Sequence, residues 1–191
     1  MHQLEPFYRW REKYASEEDD RSPFYGRVYN YAAWSNKIYN YYIDPRWDDF
    51  GSPTLYMKVL YIDYEAGYAI WEMLGEWNDT LHNDVMFLTR EVAEYMVEEG
   101  ITKYILICEN VLNFHGSDDC YYEEWADELN GGWICFLNTF DHVVEELENT
   151  RLQYFVHFGK NFNGLNWRLH EPEHLFKSVE GLIRMSVKGI G

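Results

Sequence analysis

The sequence contains no run of consecutive basic residues anywhere along its 191 positions. Lysine and arginine total 16 against 33 aspartates and glutamates, which gives a formal net charge of −17. Binding to a phosphate backbone requires clustered lysine and arginine that displace counterions, so we expect neither nucleic acid nor an anionic membrane as a partner. The charge is compatible with solubility alone, with a metal cation, or with a protein partner that has a basic surface.

Cysteines and long apolar runs are also scarce. The three cysteines, Cys108, Cys120 and Cys135, show no Cys-x-x-Cys spacing, and two of them lie in apolar runs where a thiol behaves as a small hydrophobe. Apolar runs such as Tyr104 to Cys108 are far shorter than the ~20 residues that span a bilayer. No basic segment followed by an apolar one opens the chain, as a secretion signal would. We therefore expect a cytoplasmic protein.

Motifs that hold cofactors or activate nucleophiles are missing as well. The sequence has no G-x-G-x-x-G, no P-loop, no G-x-S-x-G and no H-E-x-x-H. We expect no cofactor, and we expect a binding function ahead of an enzymatic one.

Residues 1–53 differ in composition from the rest of the chain. Aromatics make up 19% of the sequence, and the stretch from Phe24 to Trp47 is crowded with tyrosine and asparagine. The spacing of isoleucine and tyrosine within Ser35 to Ile43 predicts a short helix, ended by the Asp-Pro pair that follows. The loop at 44–50 mixes aromatics with carboxylates, as sugar-binding surfaces do, although such loops more often pack on their own domain. We interpret this part as an aromatic-rich N-terminal extension of a domain at 54–191.

Strand and helix patterns alternate through the remainder of the chain. Wholly apolar runs are typical of strands covered on both faces, and helix-spaced apolar stripes predict amphipathic helices. The predicted elements are the strands Leu55–Asp63 and Tyr68–Trp77, the helix Asp84–Glu99, the strand Lys103–Glu109, the helix Asp118–Leu129, the strand Trp133–Leu137, the helix Phe140–Asn149, the strand Leu152–Phe158 and a helix from Pro172.

The order of these elements, β-β-α-β-α-β-α-β-α, predicts an α/β fold with one mixed sheet. The short glycine-containing connection between the first two strands predicts an antiparallel hairpin. Strands separated by helices need crossover connections, so the others are expected to be parallel with right-handed crossovers.

In this order of elements, the chain resembles the STAS family over roughly Thr54 to Arg184. That family includes bacterial anti-sigma-factor antagonists and domains attached to anion transporters. The segment from Gly75 to Asp79 stands where the family has a strand-ending Gly-Glu-x-Asp-like turn. The resemblance implies a STAS-like mixed sheet and a non-catalytic regulatory domain that acts by binding other proteins.

The resemblance also directs attention to one loop, where many members carry a phosphorylated serine in an Asp-Ser-Ser-Gly sequence. The matching segment here is Asn113 to Asp119, and Ser117 is its one candidate acceptor. His115 replaces the aspartate of the family, and a phosphate would meet the like charges of the acids after the serine. The alternative is that Ser117 is simply the N-cap of the following helix.

We predict that this loop and the following helix form the contact surface. The acids on the outer side of the helix suit a partner with a basic surface. The predicted interaction residues are His115, Gly116, Ser117, Asp118, Asp119, Glu123, Glu124 and Asp127. We also consider a homo-oligomer, in which the aromatic N-terminal region packs on a second copy.

The alternative function is a small-molecule or metal-dependent hydrolase. Open α/β sheets bind ligands at the carboxyl ends of their parallel strands. His115, Asp118 and Asp119 follow one such strand and are the weak candidates for a metal site, because oxygen-rich groups suit Mg²⁺ or Ca²⁺. Their spacing matches no established metal-binding loop.

Overall fold

The computed structural model describes residues 2–39 and 41–188, which form two sheets and the helices packed on them. The strands are β1 (His2–Leu4), β2 (Ser35–Ile38), β3 (Tyr41–Ile43), β4 (Leu55–Asp63), β5 (Tyr68–Asn78), β6 (Lys103–His115), β7 (Trp133–Leu137) and β8 (Val156–His157). The helices are α1 (Asp79–His82), α2 (Asp84–Leu88), α3 (Glu94–Glu98), α4 (Cys120–Glu128), α5 (Asp141–Asn149) and α6 (Pro172–Lys188). Within the described residues, no helix combines the length and the apolar character that crossing a membrane requires.

The main sheet has the strand order β4-β5-β6-β7-β8. The first two strands form an antiparallel hairpin, and every later neighbour is parallel. This arrangement confirms the predicted α/β fold with a mixed sheet. The strand β7 has the bounds that its apolar run predicts, whereas β6 continues to His115 instead of ending at Glu109. It does so because Val111 and Phe114 are buried and β5 extends beside it as far as the pair Asn78 and His115.

Both faces of the main sheet are covered. The helices α2 to α5 pack on one face, where the rings of Trp71, Tyr104 and Trp125 lie together at the centre of the core. The helix α6 covers the opposite face, together with Trp10 from the N-terminal region and Trp167. Burial on both faces is the reason why the central strands read as continuous apolar runs.

The helix predicted over residues 84–99 contains a π-helical turn. Its segments α2 and α3 are joined by Thr89–Ala93 in π-helical geometry. The C-terminal end follows the prediction: Gly100 has a φ of +90°, its N–H donates to Val97 O, and Ile101 N–H donates to Met96 O. This is the Schellman arrangement, in which a left-handed glycine satisfies the last carbonyls of a helix.

The helix predicted over Ser35 to Ile43 is wrong. The chain forms β2 and β3 there, which pair antiparallel around a left-handed residue, Tyr39. The helical spacing of the apolar residues is equally satisfied by this hairpin, because Ile38 and Ile43 both reach a buried cluster. The strand predicted over Leu152 to Phe158 is likewise only partly formed, since a 3₁₀ turn replaces its first residues and β8 keeps two.

The N-terminal region packs along the main sheet. Its aromatic residues Trp10, Phe24 and Trp47 are buried in three separate apolar clusters. At the outer edge of β4, Asp48 and Met57 exchange two backbone hydrogen bonds, of 2.7 and 3.0 Å. The segment after β3 therefore lies against the free edge of the hairpin. The proposed domain boundary at residue 53 stays a prediction.

Candidate functional site

The predicted contact loop lies at the carboxyl ends of β5 and β6. His115 is the last residue of β6, and the chain then turns through Gly116 towards α4. Ser117 and Asp118 are exposed, and both line an open pocket whose other wall includes Asp79. The structure therefore brings the loop to the sheet edge that the strand order predicts for a functional site.

Glycine is required at the start of this loop for steric reasons. A Cβ on Gly116 would lie 2.3 Å from Thr150 Cγ2, at the end of α5. The carbonyl oxygen of Gly116 accepts a hydrogen bond from Thr80 Oγ1 at 2.7 Å. The loop is thus held between α1 and α5, which fixes the residues that follow.

His115 is held by polar groups of the neighbouring strand end. Its Nε2 lies 3.3 Å from Glu76 Oε1 and 3.1 Å from Asn113 Nδ2. The hydroxyl of Tyr39 donates to the other oxygen of Glu76 at 2.9 Å. His115 therefore pairs with Glu76, which belongs to the strand-ending segment from Gly75 to Asp79 but was not predicted as a site residue.

The helix after the loop begins at Cys120, two residues later than predicted. Asp118 Oδ1 accepts a hydrogen bond from Cys120 N–H at 3.3 Å, and the hydrogen bonds from Cys120 lower the pKa of the Asp118 carboxyl. The expectation that Ser117 is the N-cap is therefore wrong, because the helix starts too far from it.

Two buried carboxylates, Asp79 and Asp84, lie near the loop, and neither was predicted from the sequence as a site residue. Asp79 accepts hydrogen bonds from Trp77 Nε1, Val85 N–H and Tyr122 Oη at 2.7–3.0 Å. Burial, with a smaller contribution from the charge of Asp84, raises the pKa of Asp79 to about 6, although the three hydrogen bonds lower it. These bonds tie the end of β5 to α2 and α4. The only signal in the sequence was the position of Asp79 at the end of the segment Gly75 to Asp79, and nothing singled out Asp84.

The outer side of α4 carries the three predicted acids and Glu128, and Glu94 of α3 lies beside them. We call Glu94, Glu123, Glu124, Asp127 and Glu128 the acid face. Carboxylate oxygens of three of them, Glu94, Glu124 and Glu128, lie within 4.8 Å of one another. Burial raises the pKa of Glu128, and the charges of its two acidic neighbours add to the effect.

Arg90 is the cation that pairs with the acid face. It binds Glu94 one helical turn away and reaches both oxygens of Glu124, at 2.9 and 3.0 Å. Within the described part of the chain, the acid face is the one place where three potential metal-ligating side chains gather this closely. The weak metal candidates His115, Asp118 and Asp119 do not form such a group.

No protein-family profile and no curated protein matches the sequence. Among solved structures, the fold is similar to that of the anti-sigma factor antagonist SpoIIAA in its unphosphorylated form, with a TM-score of 0.45 and 12% identity over 65% of this chain and 96% of that one. It is also similar to the Bacillus cell fate determinant SpoIIAA in the phosphorylated form, with a TM-score of 0.37 and 10% identity over 55% and 91%. The first of these proteins is an anti-sigma factor antagonist, the class of protein that the sequence resemblance names.

Proposed function

We propose that this chain is a non-catalytic regulatory domain that binds a protein with a basic surface. The observation that carries the proposal is the acid face, whose five carboxylates are paired with one cation, Arg90, in the part of the chain that the structure describes. The loop from His115 to Asp119 adjoins it and completes the contact surface. We place the interaction in the cytoplasm, in keeping with three cysteines that form no disulfide.

Electrostatics favours a cationic partner for this surface. Arg90 pairs with Glu94 and Glu124 but supplies only one positive charge against the five negative charges of the acid face, so the face attracts a lysine or arginine from another molecule. Such a surface also accelerates encounter with a basic partner, and both effects weaken as salt screens the charges. We therefore expect binding to depend strongly on ionic strength.

The loop contributes a fixed shape next to the charges. Gly116 packs directly on Thr150, and His115 is held by Glu76. A surface that is already ordered before binding loses little conformational entropy when a partner docks. This supports the loop as part of the contact surface independently of whether Ser117 is ever phosphorylated.

The proposal is tested with a basic probe and charge-neutralised variants. A lysine- and arginine-rich peptide is titrated at low salt against the wild type and against a triple variant of the acid face, Glu123→Gln, Glu124→Gln and Asp127→Asn. The matched control removes the same charge from the exposed side of α5, through Asp141→Asn, Glu145→Gln and Glu148→Gln.

We expect the acid-face variant to bind the peptide at least about tenfold more weakly, and the control to bind it nearly as the wild type does. Equal losses in both variants would mean that net charge alone attracts the peptide, which contradicts the proposal. A pull-down from cells at low salt, with the same three proteins as bait, then identifies the partner.

A hydrolase at the carboxyl ends of β5 and β6 remains the alternative. Both oxygens of Asp79 accept hydrogen bonds from the protein, and His115 Nε2 faces Glu76. Because these groups are already engaged within the protein, they are poorly placed to hold a metal or activate a water, and we favour the binding function. Thermal unfolding with and without Mg²⁺, Mn²⁺ or Zn²⁺ separates the two, because a tightly bound metal raises the midpoint.

A further inference from the structure

A pocket of about 80 Å³ lies between the N-terminal region and β4, and no residue of the acid face lines it. Its walls come from segments that are far apart in the sequence, so no sequence motif predicts the pocket. The lining residues that bear on its chemistry are Phe7, Tyr8, Arg11, Ser16, Glu17, Tyr31, Arg46 and Lys58.

Two buried polar side chains in the wall have unused hydrogen-bonding capacity. Ser16 is fully buried, and its hydroxyl has no hydrogen-bond partner in the protein. The side chain of Glu17 is 8% exposed, and its Oε2 receives no hydrogen bond because Lys58 Nζ is 3.9 Å away. Buried polar atoms are nearly always hydrogen-bonded in folded proteins, so these two atoms can accept hydrogen bonds from a molecule, solvent or ligand, that enters the pocket.

The charges around the pocket are already paired. Lys58 Nζ lies 3.1 Å from Asp48 Oδ2, and Arg46 lies 2.6 Å from Asp44 Oδ2. Arg11 faces the buried glutamate, with 2.5 Å between the charged atoms. An anionic ligand would therefore meet a carboxylate without a free cation, and a cationic ligand would compete with Arg11. The pocket selects a neutral ligand.

Aromatic residues of the N-terminal region line the pocket. Tyr8 and Tyr31 are 63% and 64% exposed, and Phe7 also contributes to the lining. Exposed tyrosines present a flat apolar face to solvent together with a polar tip. Ligand pockets commonly combine such rings with a few converging polar groups.

We infer that the pocket binds a small neutral polyhydroxylated ligand of the monosaccharide type. One hydroxyl donates to Glu17 Oε2 and a neighbouring one bonds to the Ser16 hydroxyl, while an apolar face of the ring lies on Tyr8 or Tyr31. The enclosed volume is about half of the ~150 Å³ cavity that holds benzene, so one edge of the ring enters and the remainder stays between the tyrosines.

The test is a calorimetric titration of the full chain with glucose, galactose and mannose. Two variants change the pocket: Glu17→Gln weakens the acceptor, and Tyr8→Ala removes a ring that is exposed and therefore dispensable for folding. The matched control is Tyr25→Ala, because Tyr25 is 61% exposed and does not line the pocket.

We expect saturable millimolar binding of at least one sugar, weakened about tenfold or more by either pocket variant and unchanged by the control. The inference is overturned if no sugar binds, in which case water alone fills the pocket. It is also overturned if both pocket variants bind as tightly as the control. Tighter binding of acetate or methylammonium than of any sugar would refute the argument from paired charges.

Discussion

Glu72 lies in the middle of β5 with no exposed surface. The backbone N–H of Phe7 donates to its Oε2 at 2.8 Å, and Arg168 Nη2 lies 3.6 Å from its Oε1. Burial raises the pKa of Glu72 from its ordinary value of 4.5 to about 7, and these two partners offset only part of the rise. The charge of Glu109, on the adjacent strand, also contributes to the raised pKa of about 7. The folded protein therefore holds a proton on Glu72 at pH values where the unfolded chain has lost it.

This difference makes the stability of the fold depend on pH. A raised carboxyl pKa in the folded state contributes stability that is fully present below about pH 4.5 and is lost as the pH rises through about 7. Each unit of pKa difference corresponds to about 1.4 kcal/mol, so the shift from 4.5 to about 7 is worth on the order of 3 kcal/mol.

The substitution Glu72→Gln removes the charge and keeps the shape. Relative to the wild type, we expect the free energy of unfolding of the variant to increase by about 3 kcal/mol between about pH 4 and about pH 8. Urea unfolding of both proteins at the two pH values measures this change, and Glu65→Gln at an exposed turn serves as the control. A difference between variant and wild type that is the same at both pH values would refute the reasoning.

Two glycine replacements should act in opposite directions. Gly181 lies inside α6 with open space where a Cβ would be, so Gly181→Ala should raise the free energy of unfolding by about 0.5–1 kcal/mol in urea, and a decrease would contradict this. Gly75 has a φ of +125°, and its Cβ would lie 2.1 Å from Thr54 O, so Gly75→Ala should lower the free energy of unfolding by about 2 kcal/mol or more in the same assay. An unchanged free energy of unfolding for Gly75→Ala would contradict this and would mean that the backbone at Thr54 moves away from the added methyl group at little cost.

The elements that the sequence predicts best are those whose burial is uniform. The apolar run Trp133–Leu137 can only be a covered strand in this context, and the structure gives it the same bounds. The end of β6 was missed because polar residues alternate with Val111 and Phe114, which is equally typical of a loop. The hairpin of β2 and β3 was mistaken for a helix because a left-handed Tyr39 has no signature in the sequence.

For the candidate sites too, local patterns could be predicted from the sequence and contacts between distant segments could not. Three members of the acid face, Glu123, Glu124 and Asp127, were predicted because acids at helical spacing on α4 face solvent. The approach of Glu94 and Arg90 depends on how the preceding helix packs beside α4, which no local pattern encodes. The pocket with Ser16 and Glu17 was missed because its parts meet only once the N-terminal region lies against β4.

The two backbone hydrogen bonds between Asp48 and Met57 protect the outer edge of the main sheet. An uncovered outer strand offers a row of unpaired N–H and C=O groups, onto which a foreign strand can add. The segment around Asp48 occupies part of that row on the nine-residue strand β4. Removing the first fifty residues would therefore both delete a region of the protein and create a template for self-association.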